Sequence, residues 1–105
     1  MRMMLKAVVD TEAGNEAIRN GSIAKVIGQM MEQLKPEAAY FTASEDGQRS
    51  CIVVFDMADP SQLPPISEPL FQIGKARVTL APCMNLEDLQ KGLSELPADL
   101  APTRE

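Results

Sequence analysis

Tyr40 is the single tyrosine of the chain, and histidine is absent altogether. Without imidazole there is no Ser/His/Asp or Cys/His nucleophile arrangement, and the usual zinc and haem ligand sets are missing. What remains for proton transfer or substrate orientation is the Tyr40 phenol, if its strand faces an enclosed cavity. The plainer alternative is a packed ring with a wet hydroxyl. Asp10, Asn15 and Arg19 fall at the end of the first apolar strand and along the helical turns that follow it. There they can line a cavity mouth, with Arg19 taking an anionic group. Asn15 and Arg19 are also i, i+4 neighbours and would serve equally as solvated helix surface.

The other reactive types have simpler readings. Lys6, Arg49 and Arg77 can form a cationic lining for an acidic ligand, or face acidic residues across an interface between copies. Cys51 lies inside the apolar run CIVVF and reads as a small hydrophobe rather than a reactive thiol. A Cys51–Cys83 disulfide is disfavoured, because the first strand should lie between theirs and two strand spacings exceed what the bridge can span. Asp56, Asp59 and Glu68 fit no calcium-loop spacing, and Asp59 is better used as a helix cap, so no metal and no cofactor are expected. The seven methionines suit packing positions.

These residues need elements to hold them. MMLKAVVD, residues 3 to 10, alternates as a strand with one dry and one mixed face. From Thr11 to Lys35 the spacing turns helical, with Asn20-Gly21-Ser22 a plausible interruption and Pro36 the end. EAAYFTAS reads as a second strand and RSCIVVFDM as its antiparallel partner, joined by the Asp46-Gly47 hairpin signal. Asp59-Pro60-Ser61-Gln62 combines an N-cap, a proline at the first helical position and a capping-box glutamine. The helix it starts carries Leu63, Ile66, Leu70 and Ile73, with Gly74 as its expected stop. KARVTLAPCM is a fourth strand. Asn85 then caps a short last helix whose Leu86, Leu89, Leu93 and Leu96 form one stripe. Residues 1–96 form one domain, and 97–105 are expected to be a loosely ordered tail.

The 105 residues suffice for one aliphatic core, with only 4% aromatic residues. A net charge of −5, with no Lys/Arg cluster, argues against a nucleic-acid partner. The apolar run of MRMMLKAVVD is too short to span a membrane and meets charges at Lys6 and Asp10. No signal peptide or anchor is expected, and the expected location is the cytoplasm.

The order β-α-β-β-α-β-α is that of an α+β, ferredoxin-like βαββαβ domain with an extra C-terminal helix. Both main helices then lie on one face of a four-stranded antiparallel sheet whose first and third strands are central. The helix-facing side is expected to carry Leu5, Ala7, Val9, Ala39, Phe41, Ile52, Val54, Val78 and Leu80. The other side would keep Met4, Val8, Tyr40, Cys51, Val53 and Phe55, interrupted by Lys6, Thr42, Arg77 and Thr79. An apolar patch of that kind calls for a cover, either the last helix or a second copy pressed sheet to sheet about a two-fold axis, and the second copy is favoured.

On element order, and on the stretches EQLKPEAAYFTASEDGQR and FDMADPSQLPPISEPLF, the chain resembles small bacterial proteins of uncharacterised function in the dimeric α+β barrel superfamily. The resemblance covers about residues 1 to 96. It implies a homodimer joined through the sheet face, with a cavity between sheet and helices. The superfamily includes cofactor-free monooxygenases, isomerases and haem-degrading enzymes, the last excluded here for want of an axial histidine. The expected function is a homodimeric domain that holds a small apolar or weakly anionic molecule, with Tyr40, Asn15, Arg19 and Asp10 as candidate ligand contacts. The alternative is a cofactor-independent monooxygenase- or isomerase-like enzyme.

Overall fold

A computed structural model describes residues 1–101. Its elements run β1 (Arg2–Val8), α1 (Thr11–Arg19), α2 (Ser22–Leu34), β2 (Ala38–Ala43), β3 (Arg49–Asp56), a 3-10 turn (Pro60–Gln62), α3 (Leu63–Gly74), β4 (Arg77–Pro82) and α4 (Leu86–Ser94). The strands form one antiparallel sheet in the order β2-β3-β1-β4, an α+β arrangement compatible with a ferredoxin-like fold. The long helical stretch is two helices. Asp10 caps α1 by accepting from the Ala13 amide at 2.9 Å, and Gly21, at φ +79°, reverses the chain into α2. Asp59 and Gln62 form the expected capping box, in which Gln62 Oε1 accepts from Asp59 N at 3.2 Å, and the Asp59 carboxylate also accepts from Ser61 N at 2.8 Å. Those bonds from Ser61 hold the Asp59 carboxyl below its ordinary value. At the far end of α3 the left-handed residue is Lys75, at φ +44°, rather than Gly74. Gly74 instead lies close to β1's end, where a Cβ would stand 3.3 Å from a Val9 methyl.

The sheet packs against α2 and α3 through Met3, Leu5, Ala7, Cys51, Val53 and Phe55, met by Val26, Met30, Leu34, Ile66 and Leu70. This corrects the expected phase of β3. Val53 and Phe55 are 0% and 1% exposed beneath the helices, while Ile52 and Val54 look the other way. CIVVF is apolar in either phase, so its own pattern does not choose. The choice belongs to β1, where Lys6 makes one side polar. The register Met3↔Phe55, Leu5↔Val53, Ala7↔Cys51 places β3's odd-numbered residues with β1's dry side, and a slip of one residue would invert all of them.

The open side of the sheet therefore shows Met4, Val8, Tyr40, Ile52 and Val54, with Lys6, Arg77 and Thr79 among them. The last helix does not roof it. α4 has no buried residue, and its Leu86, Leu89 and Leu93 remain exposed, as does Leu96 just beyond it. Its root is fixed: Asn85 caps it by accepting from Asp88 N at 2.8 Å, and Arg2 binds both Glu37 at 2.6 Å and Asp88 at 3.3 Å. The Glu37 bond, and then its charge, raise the Arg2 pKa further. Residues 97–101 are exposed and include a turn from Pro97 to Leu100; residues 102–105 of the expected loose tail lie outside the described residues.

Candidate functional site

Between the sheet and α2 lies a cavity of about 350 Å³. Its floor is Ala7, Phe41 and Cys51, its roof Ile23, Val26, Ile27 and Met30 of α2, and its ends are Val9 and Leu70. These side chains are there because α2 repeats apolar residues at helical spacing and meets the dry side of the sheet. Thr42, Ser50 and Arg49 complete the lining, and Arg49 is its only charged residue. The volume falls within the roughly 300–1,000 Å³ usual for small-molecule sites, as does an apolar wall with few polar groups.

Arg49 begins β3 on the helix-facing side and reaches across to α1. Its Nη2 donates to Asn15 Oδ1 at 2.9 Å and its Nη1 to the Thr11 carbonyl at 3.3 Å. Gly14 makes the approach possible, since a Cβ at that position would lie 2.7 Å from Arg49 Nη1. No carboxylate among the described residues lies within 4.0 Å of this guanidinium. Cys51 is buried and free, and burial pushes its thiol pKa up, so it stands in the cavity wall as a neutral group and not as a nucleophile.

The sequence candidates separate around this cavity. Asn15 is brought to it, through Arg49. Tyr40 is paired with Ile52 on the opposite side of the sheet and is 68% exposed, so its hydroxyl cannot act on anything held under α2. Arg19 is exposed and lies 3.9 Å from Glu16. Asp10 is occupied as the α1 cap and borders a separate open depression with Glu16 and Lys75. The three expected cations do not share a lining either, because Lys6 and Arg77 are on the open side and Arg49 is beneath the helices. Asp56, Asp59 and Glu68 are engaged separately: Asp56 with the Met1 amine at 2.6 Å, Asp59 in its cap, and Glu68 with Gln72 at 3.0 Å. Among the described residues no group of three acidic or sulfur ligands could hold a metal ion.

Arg49 is the residue that sequence reasoning placed least well. It lies two positions before Cys51 and four before Val53, so period-2 alternation from the correct phase would have pointed it inward.

No family model matches the chain, and no curated protein does. Among solved structures, it is similar to a formyltetrahydrofolate deformylase from Pseudomonas putida KT2440, at 9% identity and a TM-score of 0.48. The match covers 78% of this chain and 28% of that one, so the chain spans about a quarter of the deformylase's length. No helix among the described residues is long and apolar enough to cross a membrane.

Proposed function

We propose that the chain is a cytoplasmic, homodimeric small-molecule-binding domain of the dimeric α+β barrel kind, which holds an apolar or weakly anionic molecule between α2 and the sheet. The observation that carries this reading is the apolar cavity of about 350 Å³ with a single cation in its wall. A binding role is preferred to catalysis because the cavity wall presents a neutral thiol and an anchored guanidinium, while the only phenol is on the other side of the sheet.

Two unpartnered apolar surfaces support the dimer: the open side of the sheet and the leucine stripe of α4. Fully burying a Val, Ile or Leu contributes about 1.5–3 kcal/mol, and these residues, which are partly exposed, would gain a fraction of that each on pairing of two copies. α4 carries Glu87, Glu95 and Lys91 besides Asp88, which is paired with Arg2, and the open side of the sheet has Lys6 and Arg77 with Glu45 and Asp46 nearby. With both signs on each surface, a partner's arm can meet opposite charge there.

Ligand binding is tested by thermal shift across aliphatic and aromatic compounds, with Ile27→Trp as the cavity-filled control. Compounds are expected to raise the melting temperature of the wild type and not of Ile27→Trp. Equal shifts in both proteins, or none in either, would remove the cavity reading.

A further inference from the structure

The geometry points to a monocarboxylate with an apolar tail as the ligand of this cavity, its carboxylate received by Arg49. This rests on the cavity being a binding site and names the class of molecule it takes. A guanidinium held against α1 at the rim of an apolar space, partly exposed and without a carboxylate partner among the described residues, has its charge free to meet an anion there. Its two protein acceptors, Asn15 Oδ1 and the Thr11 carbonyl, are neutral: they fix its direction and leave its charge. They also use only two of its five N–H groups.

The guanidinium lies directly against α1 at Gly14, where a Cβ would stand 2.7 Å from Nη1 and the arginine would have to shift. Lysine or methionine would fill the same space without Asn15, whereas the planar fork of arginine suits a two-oxygen acceptor. One cation also sets the ligand's charge. A phosphate dianion would bring a second negative charge into a wall that offers one cation, apolar side chains and the neutral Cys51 thiol, since Thr42 and Ser50 belong by register to the open side of the sheet. The tail follows from the rest of the lining, Ile23, Val26, Ile27, Met30, Phe41 and Leu70, which offers nothing to a polar body.

The test compares octanoate with 1-octanol by calorimetric titration of the full chain at pH 7.5. Wild type is expected to bind octanoate about tenfold or more tightly than octanol, the range for a charge-assisted hydrogen bond. Arg49→Met should abolish that preference, and Asn15→Ala should reduce it severalfold by releasing the guanidinium. Octanol binding as well as octanoate to wild type, or an undiminished preference in Arg49→Met, would overturn the assignment and leave the cavity reading standing. Binding of neither compound would remove both. Should Arg49→Met fail to fold, the wild-type ratio and its response to Asn15→Ala decide the matter.

Discussion

The two sides of the sheet are built from the same kinds of residue and have different fates. Beneath the helices, Leu5, Val53 and Phe55 are out of water, and the packing leaves an apolar cavity where α2 rises over β2 and β3. On the other side Met4, Ile52 and Val54 have comparable hydrophobicity and stay exposed or half-buried. Apolar character alone therefore does not say which residues make the protomer's core. Register does, and here a single strand with a lysine in it sets the register for its neighbours.

The sharpest way to break this contrast is to put the same damage on both sides. Phe55→Ala should cost about 3–5 kcal/mol in urea unfolding, the usual range for a fully buried phenylalanine. If it costs less than about 1 kcal/mol, the β3 phase described above is wrong. Ile52→Asp combined with Val54→Asp should leave the protomer folded by circular dichroism. If two copies pair through this side as proposed, sedimentation should show the mass halved, since like charges would then face each other across the pairing surface. Unfolding of this variant would mean that both sides belong to one core.

The smallest effect separates the two cysteines. Cys51 is held neutral by burial and Cys83 is only half-buried, so iodoacetamide at pH 8 should label Cys83 first. The raised Cys51 pKa also has a sign. Its contribution to stability is whole below the ordinary thiol range, and is lost as pH rises from there through the folded value, because the unfolded chain ionises first. Urea midpoints at pH 7 and pH 10 should differ more in wild type than in Cys51→Ala.

Much of the architecture was legible because many boundaries have their own local chemistry: Asp59 and Asn85 cap helices, Gly21 divides two of them, and Asp46-Gly47 turns the hairpin, whereas Asp10, read as a ligand candidate, is a cap that the structure reveals. The site was less legible for one physical reason. In CIVVF both faces are apolar, so the strand's phase is set by a partner distant in sequence, and an inverted phase misassigns Val53, Phe55 and Cys51 as outward-facing. Tyr40 attracted a functional reading because it is unique, although uniqueness says nothing about the side a strand residue occupies. Asn15 was reached through its position near the first strand's end, and its importance lies in a contact to Arg49 across 34 residues of sequence, which helical spacing cannot reveal.

β2 lies at the margin of the sheet, and its sequence, AAYFTA, contains no lysine, proline or glycine, while Tyr40 and Phe41 remain exposed. Its outer row of amide and carbonyl groups thus has none of the features that discourage a stranger's strand from adding on. Concentrated preparations should tend toward lateral ribbon growth from that margin, and a single lysine in place of Thr42 is the economical way to keep such stocks clear.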